Sequence, residues 1–389
     1  MRVSYGAALT MIVSSVVVGA PYPVAKAQAA VTSASRGATS RLTIWRSTEQ
    51  WRVDGSEQGD AFGDLRDFVT LRDGSLWILD FKDQTIRRFS ATGKPLTAVG
   101  RRGSGPGELR NANGLVVHAD GTVWVNDPSN GRLSVYRADG SFARHHTLPI
   151  SSWTYQWGAW YDSAAGEIMD PVGVKRETRH VQVWRRLGPQ GEARGEREQP
   201  SCESGKSIGV SYRAETPGQG SRMGPYPFTV GGGRAPDGRG GLWCATPSSA
   251  RPVLVRIGAN DTLAQTALAV DPLAVTKAER EETIAQIRDG IRKYSSTDFD
   301  PAKIPNTKPG IAGLSVDATG RLWVQHARSF GVTRTTFDVY DARGAHLGRV
   351  TVPYRVRDGM PVMASGMSLW LAVLDDDDVV SVARFTLTP

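Results

Sequence analysis

Cysteine is scarce in this chain: Cys202 and Cys244 are the only two in 389 residues. A structural zinc site takes about four ligands, and no histidine stands near either cysteine, so no zinc site is read here. Histidine is almost as rare. His118, His145, His146, His180, His326 and His346 show no helical pair of the His-Glu-x-x-His kind, which excludes that metalloprotease signature. No Gly-x-Ser-x-Gly elbow occurs. The glycine-rich runs at 100–107 and 231–233 fall between strands, whereas a phosphate cradle needs a strand-to-helix turn. No cofactor is therefore expected. Past the first twenty or so residues no apolar run is long enough to cross a bilayer core of about 30 Å. Blocks of like charge are also missing. Arginines are dispersed, with small pairs at Arg101-Arg102 and Arg185-Arg186, and a net charge of +8 spread this thinly points to no nucleic-acid partner.

The N-terminus carries an export pattern. Arg2 precedes an apolar stretch at 7–20, and Ala27-Gln28-Ala29 offers a small-x-small cleavage site. Residues 1–29 are expected to be a signal peptide, cleaved near Ala29, followed by a Ser/Thr/Ala/Gly-rich leader at 30–41. The mature chain should then be secreted or periplasmic and not membrane-spanning. In an oxidising compartment Cys202 and Cys244 are disulfide candidates.

What the sequence has in abundance is glycine, 43 residues, and tryptophan, 11. Part of the tryptophan is periodic. Phe68-Val-Thr-Leu-Arg-Asp-Gly-Ser-Leu-Trp-Ile-Leu-Asp80 aligns with Leu115-Val-Val-His-Ala-Asp-Gly-Thr-Val-Trp-Val-Asn-Asp127 at a constant offset. Further copies carry Trp323 and Trp243, a degraded one carries Trp370, and in the weakest Met169 takes the tryptophan position. Six anchors imply six units. Each reads as antiparallel strands joined by Asp-Gly turns. The anchor strands are apolar at consecutive positions, as in Leu76-Trp77-Ile78-Leu79, which means burial on both faces. The fold expected is all-β, a six-bladed propeller over 42–389. An orphan strand, Leu42-Thr43-Ile44-Trp45, should close it by completing the last blade.

The run Gly100-Arg-Arg-Gly-Ser-Gly-Pro-Gly-Glu-Leu109, with Asp120-Gly121, Val123-Trp-Val, Asp127 and Asn130-Gly-Arg132 after it, resembles an NHL repeat. That resemblance implies a six-bladed propeller and a binding role. Its motif residues are architectural and imply no reaction.

Two spacings between anchors are long, and the excess lies at about 194–231 and 271–309. The second insertion contains a helix. Thr276-Lys-Ala-Glu279 is a capping box, Ile284, Ile287, Ile291 and Tyr294 form an apolar stripe, and Glu279, Arg280, Glu282 and Arg288 face water. The helix is either a lid over the channel or a cover on a blade edge. Both insertions should crowd the face on which the second strands end. That face carries Asp80, Arg101, Asp127 and His326, the candidate ligand-binding residues, beside a turn at Asp375–Asp378 read as solvated. A protein, peptide or glycan is the partner expected of an exported binding scaffold; oligomeric state is not legible. The alternative is a metal-dependent hydrolase or lyase of the gluconolactonase-like propeller class. Asn113-Gly114-Leu115 with Asp127 is similar to part of that pattern, although no early glutamate completes a metal site.

Overall fold

A computed structural model describes residues 43–148, 155–200, 202, 211–229, 233–246, 252–258 and 262–389. The signal segment, the leader, Leu42 and parts of the first insertion lie outside the described residues.

The Asp-Gly pairs act as the sequence pattern requires. Gly74, Gly121 and Gly140 all take positive φ (81°, 83° and 95°), where a side chain would be strained. The preceding aspartate accepts the backbone N–H two residues on, as from Asp73 to Ser75 at 2.9 Å and from Asp120 to Thr122 at 2.9 Å. These turns produce successive antiparallel sheets. The first contains Leu65–Thr70, Leu76–Asp80, Thr85–Phe89 and Pro95–Val99. The second contains Gly114–Val117, Val123–Asp127, Arg132–Tyr136 and Phe142–Thr147. Trp160–Asp162, Glu167–Arg176, Arg179–Leu187 and Ala193–Glu198 form the third. Arg234–Pro236, Leu242–Thr246, Val253–Ile257 and Thr262–Ala267 form the fourth. The remaining blade strands join into one sheet of nine.

Apolar cores lie between consecutive sheets and run in a closed circuit. Trp77 and Leu79 pack with Leu115 and Val125, Trp124 with Ile168 and Leu187, and Trp243 with Leu322 and Val324. The circuit returns to its start where Trp370 and Val382, near the C-terminus, pack with Phe68 and Ile78 of the first sheet. The architecture is a β-propeller. Trp77, Trp124, Trp243 and Trp323 are fully buried, so truncating one to alanine would cost about 3–5 kcal/mol. Among the described residues the core between the third and fourth sheets is the smallest: Met169 takes the tryptophan position there, beside Trp184, Leu242 and Cys244.

Closure uses a longer strand than the sequence suggested. Ile44–Val53 pairs antiparallel with Val380–Thr388, from Arg46↔Thr388 to Val53↔Val382. Only Ile44 and Trp45 fall inside the expected orphan strand, and they pair parallel with Arg349 and Val350 of the neighbouring strand His346–Val352. The strand reads as an edge, polar on alternate residues with one side exposed, which hid its length.

The insertions converge into one lobe. The hairpin Ser211–Thr216 and Gly220–Pro225 comes from the first, and the helix Lys277–Ile291 and strand Ser296–Thr297 come from the second. Ser296 and Thr297 extend the hairpin into a three-stranded sheet, and the helix buries Ile287 and Ile291 against Tyr212, Tyr226 and Ile304. That core is made entirely of insertion residues, so the helix packs within the lobe. Thr276 caps it by accepting the Glu279 N–H at 3.2 Å. Glu279 does not face water as expected: it is buried, and its carboxylate takes Lys308. Arg280 is likewise engaged, with the carbonyls of Ile304 and Pro305.

Cys202 and Cys244 are joined by a disulfide across 42 residues. In a chain-entropy model such a loop stabilises by roughly 4 kcal/mol, and here it reinforces the smallest core. Thiol titration of the denatured, unreduced protein should find no free thiol, and reduction should lower the thermal midpoint by several degrees; two free thiols would contradict the bond. Deleting residues 43–53 should bare the edge of Val380–Thr388 and cause unfolding or self-association on a sizing column. A monomer with an unchanged midpoint would contradict the closure.

Candidate functional site

Aspartates of the second strands share one arrangement in three successive sheets; Asp80 and Asp127 end theirs, while Asp170 lies within Glu167–Arg176. Asp80 is fully buried and accepts the N–H groups of Gly63 and Asp64, at 3.0 and 3.1 Å, from the segment leading into its own sheet. Arg87 of the third strand meets the same carboxylate at 3.1 Å. Asp127, also fully buried, accepts the Arg110 N–H at 2.7 Å and groups from Asn130 and Arg132. Burial raises the Asp127 carboxyl, and these donors oppose the rise. Asp170 accepts the Trp157 indole N–H at 2.7 Å and pairs with Arg185. Each carboxylate ties a lead-in loop to two strands, and its oxygens are turned into protein.

The other candidates are likewise dispersed. Arg101 is exposed and pairs with Glu108, whose carboxylate also closes the loop by taking the Gly105 N–H at 2.7 Å. His326 lies against Asp338 at 2.8 Å, where His346 and Arg349 converge on the same carboxylate. Burial pushes Asp338 up, but the hydrogen bonds from His326 and Arg349 outweigh it and hold the carboxyl well below the usual range. Asn113 is buried and accepts from the Asn126 amide at 2.8 Å, apart from the Asp127 pairings. Among the described residues no interaction joins any two of Asp80, Arg101, Asp127 and His326. Nor do three His, Cys, Asp or Glu side chains gather among the described residues so as to hold a metal ion. The Asp375 carboxylate accepts the N–H groups of Asp377 and Val379, while Asp378 reaches Arg355 at 2.7 Å.

A second cluster, not read from the sequence, lies where the innermost strands converge. Three segments distant in the chain meet there. Arg66 is buried between the rings of Phe81 and Tyr155, its guanidinium carbon 3.6 and 3.9 Å from their centroids. It donates to the Tyr155 carbonyl at 3.1 Å and to Asp64 at 2.5 Å. Arg357 donates to the Leu65 carbonyl at 2.9 Å and to the Tyr155 hydroxyl at 3.0 Å, and that hydroxyl donates to Asp64 at 3.1 Å. Gln156 reaches the Arg66 carbonyl at 2.9 Å and the Met360 sulfur. Arg66 and Tyr155 form the floor; Asp64 and Arg357 remain about a quarter exposed and form the rim. One signal existed in the sequence: Arg66 and Asp67 break an otherwise apolar inner strand.

Asp67 lies in the inner wall beside this cluster. Its two oxygens accept the Leu115 N–H of the next sheet at 2.8 Å and the Phe68 N–H at 2.9 Å. Burial pushes its carboxyl up to about 7, and the two amides offset only part of that.

No family model and no curated protein matches the chain. Among solved structures it is similar to virginiamycin B lyase from Staphylococcus aureus (13% identity, 88% of this chain and 100% of that one, TM-score 0.42). It is also similar to the PQQ-bound aldose sugar dehydrogenase of Streptomyces coelicolor (14%, 89% and 99%, 0.43) and to a gluconolactonase of Xanthomonas campestris (12%, 89% and 97%, 0.40). At such identities and scores none of them assigns this chain an activity.

The Asp67 shift makes stability depend on pH. Between an ordinary carboxyl value of 3.8 and the folded value of about 7, the unfolded chain is ionised and the folded one protonated. Unfolding then releases a proton, so the contribution of Asp67 is full below the lower value and lost as pH rises through the upper. The thermal midpoint of the wild type should fall relative to that of Asp67→Asn between pH 4 and 8. Parallel profiles would show that the carboxyl is not raised.

Proposed function

We propose that this chain is an exported, six-bladed propeller of the NHL type that serves as a binding scaffold, taking a peptide, protein or glycan on the face where the second strands end. The nine-stranded sheet is counted as two blades bridged by Ile44–Val53, which brings the total to six. Export rests on the N-terminal pattern and suits the disulfide. No described helix is long and apolar enough to cross a membrane.

The observation that carries the reading is the axial cluster. Its rim offers Arg357 and Asp64, both held by Tyr155 of another segment, so a ligand would meet groups whose ordering is already complete. The insertion lobe adds an individual surface beside an otherwise repetitive face. The second reading is the hydrolase or lyase, favoured by Asp67, because a carboxyl near 7 suits proton transfer at neutral pH.

Peptide and glycan arrays separate the two. Wild-type hits should weaken at least tenfold in Arg357→Ala, with a thermal midpoint within a few degrees of wild type, and should persist in Arg239→Ala on the opposite face. Hits that ignore Arg357 would overturn the placement. Turnover of a lactone panel that disappears in Asp67→Asn would overturn the scaffold reading in favour of the enzyme.

A further inference from the structure

Most buried guanidinium groups in this protein have partners. Arg87 and Arg132 meet Asp80 and Asp127, Arg256 pairs with Asp237, and Arg321 pairs with Asp317. Arg328 differs. It follows the strand Leu322–His326 on the face of the axial cluster, where the Ala327 N–H is tied to the Gly310 carbonyl at 2.8 Å as the second insertion returns to the sheets. Its side chain is half-buried, and its Nη1 is out of solvent without a hydrogen-bond partner. Burial lowers its basicity, with the Asp358 charge opposing and the Arg355 charge adding to that effect. Asp358 makes no hydrogen bond to it; one carboxylate oxygen takes the Gln325 amide at 3.0 Å. Arg355 is committed to Asp378, and Arg357 to the axial cluster. Two residues on, Phe330 is 43% exposed, and Val332 is 37% exposed.

A cation taken partly out of water, with one buried N–H unpartnered and the nearby Asp358 carboxylate not bonded to it, is a cost that folding alone does not explain. A bound oxyanion removes it: a planar carboxylate or a phosphate accepts from a guanidinium fork with charge-assisted hydrogen bonds. We propose that Arg328, with the Arg355 charge near it, is the receptor for an oxyanion group on the ligand, and that Phe330 and Val332, which follow it in the chain, supply apolar surface for the adjoining part of that ligand. The inference rests on the scaffold reading above and narrows its ligand to one carrying a carboxylate or phosphate beside a nonpolar group.

The test uses benzoate, its uncharged analogue benzamide, and inorganic phosphate, titrated into the mature protein by calorimetry or ligand-observed NMR. Benzoate should bind, benzamide should bind at least tenfold more weakly, and Arg328→Gln should weaken benzoate at least tenfold while Arg239→Gln does not. Phosphate binding of equal strength assigns the contact to the oxyanion alone; a preference for benzoate adds the Phe330 surface, and that preference should shrink in Phe330→Ser. A second readout is thermal. In the absence of ligand, Arg328→Met should melt at the same temperature as wild type or higher, since it removes an unpaired cation. A clear fall in that midpoint would make Arg328 a structural residue and overturn the proposal. So would benzoate and phosphate binding that is unaffected by Arg328→Gln, or absent up to tens of millimolar. Array ligands that still depend on Arg357 after such a failure would leave the scaffold reading standing without this anion receptor.

Discussion

A buried carboxylate in apolar surroundings persists only if its charge is met, and in this protein that requirement organises the blades. Asp80, Asp127 and Asp170 lie buried on their second strands. Each is answered by an arginine of the third strand and by an N–H from the segment that leads into the same sheet. Breaking such a pair by removing one partner costs about 3–5 kcal/mol, because the other charge is left stranded. The braces therefore fix where the lead-in segments run. Those segments in turn present Asp64, Tyr155 and Gln156 at the axis, so the polar cluster there depends on these braces, Asp80 holding the Asp64 N–H itself.

Closure of the ring imposes the second constraint. Cores between sheets run continuously from Trp77 round to Trp370, and the one weak link lies between the third and fourth sheets. Met169 supplies less there than an indole would, and the disulfide from Cys202 to Cys244 lies in that same place. The lobe from the two insertions stands outside this circuit with a core of its own. Repetition thus supplies the frame, and the departures from repetition supply what is individual to this chain.

Much of the frame was legible because it repeats. The Asp-Gly turns, the tryptophan anchors and the consecutive apolar residues of the second strands are local patterns with local causes. Features that depend on distant partners were not legible. Glu279 occupies a capping-box position, yet it is drawn inward by Lys308, 29 residues later in the chain. The strand Ile44–Val53 alternates like any edge strand, and its pairing with Val380–Thr388 could not be read from either segment alone. Asp80 and Asp127 looked like a ring of ligand groups because a sequence shows their regular positions but not which way their oxygens turn. The Arg66–Tyr155–Arg357 cluster includes a hydrogen bond between residues 292 apart, with no motif to announce it.

The claim on which the rest depends is that the second-strand aspartates are braces rather than ligands for anything outside the protein. A double-mutant cycle at Asp80 and Arg87 tests it most directly, using urea unfolding of Asp80→Asn, Arg87→Met and the double variant. The prediction is that each single change costs about 3 kcal/mol or more, while the double costs little beyond either one, giving a coupling of at least about 2 kcal/mol. Single changes that leave stability untouched, or costs that simply add, would contradict it.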